Sequence, residues 1–219
     1  MLGDLSKKYE SNGEPGTISS GYGDAGGKSY GMYQFSSTMG VVDNYVKWLR
    51  DNGYWFGDEL AKYTVGSSYF DDAWVYLAAY PNRDDFAKSQ HDFTKAMYYD
   101  KACKLLADSG YNLNKHSKAM KDVVWSRAVQ YGPYQIVEMF EDACTIVLGS
   151  KFNLSYVDAK YFDESMIKAI YLEVCSTPEW TNGSPALREG LYARFRNECE
   201  DALNMLNEEL RNEELRKVE

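Results

Sequence analysis

Two carboxylates near the start of the chain, Glu10 and Asp24, are separated by a glycine-rich stretch. Apolar residues recur at helical steps over residues 2–10, which predicts a short first helix with Glu10 at its C-terminal end. A helix C-terminus disfavours negative charge, so this position, if also partly buried, is expected to raise the pKa of the carboxyl, which suits a proton donor. Cleavage of a glycosidic bond needs one acid that donates a proton and a second that activates water or stabilises positive charge. The first hypothesis is therefore a glycosidase.

The segment that contains Asp24 is predicted to form turns rather than a helix. Gly, Pro and Ser are dense over residues 13–27, which favours a turn-rich excursion with a short hairpin over residues 17–22. The letters G-Y-G-D-A-G match the dinucleotide fingerprint, but that motif works only between a hydrophobic strand and a helix. Neither is adjacent here, so a nucleotide cofactor is not predicted.

Beyond Ser36 the chain is predicted to be almost entirely helical. Apolar spacing and Gly or Pro stop signals predict helices over residues 41–52, 69–80, 82–109, 117–131, 134–148 and 163–175. A last helix opens at Ser184-Pro185, and its apolar side contains Leu187, Leu191, Phe195, Cys199, Ala202 and Leu206. The sequence N-E-E-L-R then occurs twice over residues 207–216. We therefore predict one catalytic domain over residues 1–206 and a charged helical tail or linker over residues 207–219.

Composition and charge argue against nucleic acid as a partner and are compatible with a sugar ligand. The chain has 219 residues, a mass of 25.0 kDa, a formal net charge of -9 and a sequence pI of about 4.9. A broad phosphate-binding surface is not expected at this charge, so no nucleic acid is predicted as a partner. Aromatic residues make up 15% of the chain and supply ring faces on which sugars can stack.

The cysteines and the N-terminus give expectations about metals, cofactors and location. The four cysteines lie far apart in helix-like segments without a C-x-x-C pair, so we predict reduced core thiols, no metal site and no cofactor. The N-terminus carries no signal-peptide pattern, and no window is apolar enough to insert into a membrane. We expect synthesis in a cytoplasm and delivery to an outside target by other machinery.

Three short motifs carry a resemblance to a known superfamily. Glu10-Ser11 followed by Gly31-Met32-Tyr33-Gln34 resembles the E-S and G-L-M-Q signature of goose-type lysozymes and soluble lytic transglycosylases. The stretch G-Y-G-D-A-G-G-K-S-Y-G is similar to the loop that bears the second carboxylate of the goose-type proteins, at Asp24. Residues 128–133, A-V-Q-Y-G-P, resemble the A-Y-N-A-G motif of a later helix. The N-terminal motifs together resemble the muramidase domains of phage endolysins and tail-associated lysins.

The resemblance implies a fold and an activity. The fold would be mostly α (α+β) and lysozyme-like, with a helical body, a small β-rich wing and a substrate groove between them. The activity would be that of a muramidase, a glycoside hydrolase acting on the glycan strand of peptidoglycan. Glu10 would be the general acid, and Asp24 would be the base or an electrostatic partner. If Asp24 is the base, the carboxyl groups should lie about 6.5–9.5 Å apart, with inversion at the anomeric carbon.

The remaining site residues carry smaller roles. Ser29 is the candidate to help hold the attacking water. The substrate-binding candidates are Ser11, Tyr30, Gly31, Tyr33, Gln34, Gln130 and Tyr131. Ser36 stands where the goose-type proteins have a further Asp, and Gln130-Tyr131 replaces Asn-Ala, so the substrate contacts differ from the family pattern.

Three alternatives stay open. A lytic transglycosylase would use Glu10 alone and release a 1,6-anhydro product. A chitosanase-like glycosidase is the second, because G-D-x-x-G-x-S-Y-G also resembles chitosanase sequences and an acidic protein suits a polycationic strand. The third is a silent binding or structural module. For a lysin, we expect an attached wall-binding module as a partner. Lysis, a holin or a phage tail would deliver the protein, which would then act on the bacterial cell wall.

Overall fold

A computed structural model describes residues 2, 3, 5, 14–21, 27–176 and 182–217. The chain divides into two compact units, which we call the N-terminal unit and the C-terminal unit. The N-terminal unit is Ser6–Met97, and the C-terminal unit combines Met1–Leu5 with Tyr98–Glu219. Glu10, Ser11 and Asp24 lie outside the described residues.

The N-terminal unit contains a small sheet and four helices among its described residues. Strands β1 and β2 are antiparallel, with Tyr30 opposite Phe35, and Ile18 forms a bridge to Tyr30. The strands are β1 (Ser29–Tyr30) and β2 (Phe35–Ser36), and the helices are α1 (Val41–Asp51), α2 (Trp55–Leu60), α3 (Ser68–Leu77) and α4 (Arg83–Thr94). The hairpin predicted over residues 17–22 was wrong, because Ile18 pairs across the glycine-rich loop with β1 and not with a near neighbour.

The core of the N-terminal unit is built from aromatic rings. Trp74 and Tyr45 are fully buried, and each packs on several neighbouring rings. The Trp74 and Phe86 ring centroids are 5.0 Å apart at an interplanar angle of 74°. Edge-to-face pairs of this kind contribute about 0.5–1.5 kcal/mol each beyond the area they bury. The small sheet is therefore fixed to a rigid aromatic base.

The regular secondary structure of the C-terminal unit is entirely helical among its described residues. A π-helical segment, Lys95–Tyr99, interrupts the single helix predicted over residues 82–109, and the boundary of the two units falls inside it. The helices of this unit are α5 (Asp100–Asp108), α6 (Lys118–Tyr131), α7 (Ile136–Leu148), α8 (Asp163–Glu173) and α9 (Pro185–Leu215). Short 3-10 turns connect several of them. Helix α9 packs against α6 and α8, and α7 packs against α8.

The predicted fold class is confirmed. The described residues are mostly α with a two-stranded sheet, which is consistent with a lysozyme-like fold. The substrate groove and the domain boundary at residue 206 stay predictions. Helix α9 runs across that boundary, and Lys160 pairs with Glu209 and Glu213 beyond it, at 2.7 and 2.5 Å.

All four cysteines carry free thiols. Burial raises the pKa of the Cys144, Cys175 and Cys199 thiols, so these sulfurs stay protonated and act as apolar side chains. In the part of the chain that the structure describes, no helix is both long and apolar enough to cross a bilayer.

Candidate functional site

The turn between β1 and β2 carries the G-M-Y-Q residues. Gly31 has φ 75° and Gln34 has φ 50°, and the Gln34 amide Nε2 donates to the Gly31 carbonyl at 2.9 Å. The Gly31 N–H donates to the Thr17 carbonyl at 2.7 Å. A side chain at position 31 would overlap the Gln90 amide and the Trp74 ring, so the turn requires glycine there.

One buried amide joins this turn to the segment that follows Glu10. The Gln90 side chain is fully buried, and its Oε1 accepts from the Met32 N–H at 2.9 Å. Its Nε2 donates to the Pro15 carbonyl at 3.0 Å, and the Trp74 indole donates to the same carbonyl at 2.9 Å. The backbone at Pro15 and at Met32 is thereby held by side chains of α3 and α4.

A second set of contacts holds β1 and the residue before it. The Tyr30 hydroxyl donates a hydrogen bond to Asp71 Oδ1 at 2.5 Å, and Lys28 Nζ lies 2.5 Å from Asp71 Oδ2. Lys28 also donates to the Gly66 carbonyl at 2.9 Å. Burial, and then the Asp71 carboxylate, raise the pKa of the Tyr30 phenol, so this group stays a hydrogen-bond donor.

The loop that contains Asp24 is closed at its base. Asp24 is the middle residue of the stretch Gly21–Gly27, and a side chain at Gly21 would overlap the Gly27 backbone. Beside this base, the Ser19 N–H donates to the Ser29 carbonyl and the Ser29 N–H donates to Ser19 Oγ, both at 2.9 Å. Glycine is required at Gly21 because two backbone segments meet there.

Five of the predicted site residues come together at this small sheet. Ser29 is half-buried in β1, and Gln34 is half-buried in the turn. Tyr30 and Tyr33 are 0% and 5% exposed, so their rings belong to the core. The Tyr33 hydroxyl bonds to His91 Nδ1 at 2.9 Å. Any contact of these side chains with substrate stays a prediction, as does the water-holding role of Ser29.

Gln130 and Tyr131 belong to the other unit, at the end of α6. Both are half-buried, and Gln130 Oε1 has no hydrogen-bond partner among the described residues. The Arg127 guanidinium lies 5.7 Å from the centre of the Tyr131 ring. Their roles in substrate binding also stay predictions.

A buried ion pair lies beside these two residues. Arg127 and Glu198 are both fully buried, and Arg127 Nη2 donates to Glu198 Oε2 while Ser126 Oγ donates to Glu198 Oε1. Burial alone would lower the pKa of Arg127, but the Glu198 carboxylate raises it, so the cation is retained. The rings of Tyr171 and Phe195 lie 5.0 and 5.1 Å from the guanidinium.

The sequence reasoning missed the polar residues that organise both regions, Gln90, Asp71, Arg127 and Glu198. A signal was present for two of them. Gln90 follows Phe86 by one helical turn, and Glu198 follows Phe195, so each polar group interrupts an apolar face. A polar group on a buried face must find partners, which marks it as structurally important.

Comparisons with known proteins identify the family. A family model described as "Type VI secretion system spike protein VgrG3-like, C-terminal" matches residues 2–199. The chain belongs to this family. It is 38% identical over 133 residues to the type VI secretion system spike protein VgrG3 of Vibrio cholerae serotype O1 (strain ATCC 39315 / El Tor Inaba N16961). The match covers 60% of this chain and 12% of that relative, so the chain corresponds to a small part of the longer protein.

This finding corrects the assignment suggested by the short motifs. The goose-type and phage endolysin resemblance was wrong as a statement of family, because the model that matches most of the chain is that of the secretion spike proteins. The motifs cover only an acid, a glycine loop and one helix end, so they do not distinguish families. The expected phage tail and holin find no support in these matches, which are to secretion system spike proteins.

Proposed function

We propose that this domain is a glycoside hydrolase that cleaves the glycan strand of peptidoglycan between N-acetylmuramic acid and N-acetylglucosamine. The observation that supports it most is the close approach of Gly21 and Gly27, the described residues on either side of the stretch that bears Asp24. Next along the chain come β1, whose Tyr30 hydroxyl donates to Asp71, and a turn whose Met32 N–H donates to Gln90. Catalysis between two carboxylates needs such fixed positions, because a small displacement costs a large factor in rate.

In the proposed mechanism Glu10 protonates the leaving glycosidic oxygen and Asp24 activates a water on the opposite face of the sugar. Room for that water requires carboxyl groups about 6.5–9.5 Å apart and gives inversion at the anomeric carbon. The Ser29 N–H is already bonded to Ser19, so its hydroxyl is the group that would help hold the water. Gln34 uses its Nε2 within the turn, which leaves Oε1 as the acceptor for a sugar N–H.

The family gives this activity a setting. A domain that belongs to the C-terminal region of a secretion spike would travel with the spike from the producing cytoplasm. We propose that it then acts on the cell wall it reaches. Its partners would be the peptidoglycan strand and the rest of the spike protein.

The substitution Glu10→Gln tests this proposal. Turbidity loss of purified bacterial walls should fall by at least about 100-fold, because proton donation contributes that much or more. Glu14→Gln is the matched control, since Glu14 is a nearby exposed acid paired with Arg83 at 2.9 Å. Both variants should melt within a few degrees of the unaltered domain. Activity of Glu10→Gln within a few-fold of the unaltered domain would overturn the proposal.

A further inference from the structure

We infer that Gln90 is a positioning residue for the proposed cleavage site. Its single amide holds the chain segment after Glu10 and the chain segment after Asp24 in one fixed geometry. This inference rests on the proposed function, because its consequence is measured as glycan cleavage.

The geometry ties both segments to one side chain. Gln90 Nε2 donates to the carbonyl of Pro15, which lies five residues after Glu10. Gln90 Oε1 accepts from the N–H of Met32, which lies eight residues after Asp24. A shift of the Gln90 amide would therefore move the backbone at both Pro15 and Met32.

Only an uncharged group with both a donor and an acceptor fits this place. Gln90 is fully buried, so a missing bond would leave a backbone group unsatisfied. An ionised Glu offers no donor to the Pro15 carbonyl, and Met offers neither bond. The close approach of Gly31 shows that the amide also fills the space beneath the turn. Pro15, Gly31 and Met32, the residues that lie against the amide in the described part of the chain, carry no titratable side chain.

Helix α4 offers a matched control for burial and polarity. Ser89 is the neighbouring residue and is also fully buried, with Oγ bonded to the Phe86 carbonyl and to the Tyr45 hydroxyl, each at 2.7 Å. Neither partner belongs to the loop or to the turn. Ser89→Ala therefore removes two buried hydrogen bonds without changing a contact of the segments that Gln90 holds.

The first test compares kcat and KM on glycan strands for Gln90→Met and Ser89→Ala, at a temperature where both variants are folded. We expect kcat to fall by about 100-fold in Gln90→Met, because the reacting groups are displaced, and KM to rise by less, because Gln34 lies in the same turn but is also held by its own bond to Gly31. Ser89→Ala should stay within about threefold. Equal kcat losses in the two variants would overturn the inference, since the effect would then be one of stability.

The second test uses Gln90→Glu as a conservative replacement. A protonated Glu restores both the donor and the acceptor, whereas an ionised Glu cannot donate to Pro15. The kcat of Gln90→Glu relative to the unaltered domain should therefore rise as the pH falls. The rise should be about tenfold per pH unit at pH values above the pKa of the introduced carboxyl, where the protonated fraction follows the proton concentration. A ratio that does not change with pH would contradict the positioning role.

Amide hydrogen exchange separates this inference from the proposed function. The Met32 N–H should lose protection in Gln90→Met and keep it in Ser89→Ala, whether or not glycan is cleaved. An unaltered domain that cleaves no glycan would overturn the proposed function and the positioning role with it. An active domain in which Gln90→Met keeps both its kcat and its Met32 protection would overturn the inference alone.

Discussion

The two units handle buried polar groups in opposite ways. Within the described residues, the buried polar side chains of the N-terminal unit are neutral: Ser89, Gln90 and Thr94. The C-terminal unit buries charged or titratable groups, including Arg127, Glu198, His116, Asp163 and Asp122. The neutral Gln90 fixes the backbone of a turn, whereas the charged Arg127 and Glu198 join two separate helices. The two units therefore differ in what their buried polar groups stabilise, which is the backbone of a turn in the N-terminal unit and the packing of helices in the C-terminal unit.

The largest expected effect is in the C-terminal unit. Glu198→Ala should destabilise it by about 3–5 kcal/mol, because the Arg127 cation is left buried without its partner. Hydrogen exchange should show lost protection in α6 and α9 and unchanged protection in α1 to α4.

A paired replacement sharpens that prediction. Arg127→Met with Glu198→Leu removes both charges and should recover most of the lost stability, because a packed apolar pair often replaces a buried ion pair at little cost. Failure of the double variant to recover any protection would show that packing, and not charge, determines the effect.

The next effect is in the N-terminal unit. Trp74→Phe removes an indole donor to the Pro15 carbonyl and part of a fully buried ring system. We expect a loss of about 1–3 kcal/mol, since a hydrogen bond and packing contacts disappear together. Thermal unfolding followed by hydrogen exchange should place this loss in α1 to α4. A loss spread equally over α6 to α9 would break the comparison between the units.

A smaller effect depends on pH and concerns the C-terminal unit. Burial opposes ionisation of Asp158, but its hydrogen bonds from Lys115, the Asn112 N–H and His116 lower its pKa below the usual 3.8. A lowered folded pKa gives stability that is present above pH 3.8 and is lost as the pH falls through the lower folded value. Asp158→Asn should therefore flatten the acid limb of the stability curve, by on the order of 1 kcal/mol. An unchanged acid limb would contradict this assignment.

The smallest effects are expected from matched surface pairs. Lys47 and Asp51 lie 2.6 Å apart in the N-terminal unit, and Lys104 and Asp108 lie 2.5 Å apart in the C-terminal unit. Both pairs are well exposed, so Lys47→Ala and Lys104→Ala should each change stability by less than about 0.5 kcal/mol in urea unfolding. A large effect in either unit would mean that surface charge contributes to the difference between them.

Most of the helices could be predicted from the sequence, and two features could not. Periodic apolar residues with Gly and Pro boundaries predicted α1 and α3 to α9 to within a few residues, apart from the π-helical interruption after Thr94. Helix α2, Trp55–Leu60, was missed because six residues show too little periodicity. The hairpin was misplaced because its pairing spans the loop that contains Asp24.

The candidate site was predictable at the level of motifs and not at the level of side-chain positions. The G-M-Y-Q letters marked Gly31, Tyr33 and Gln34 as site candidates. They did not predict the burial of Tyr30 and Tyr33, which depends on side chains of α3 and α4. The roles of Gln90 and Glu198 depend on partners far away in the chain, which spacing along one helix does not reveal.

Analysis of the released products decides whether this domain hydrolyses the glycan strand. Mass spectrometry of the fragments released from purified peptidoglycan should show strands cut between N-acetylmuramic acid and N-acetylglucosamine. Each fragment should carry N-acetylmuramic acid at its reducing end. The Glu10→Gln variant should release none. Release of 1,6-anhydro ends would contradict the role of Asp24 as the base. Uncut strands, or cleavage at the stem peptides, would contradict glycan hydrolysis itself.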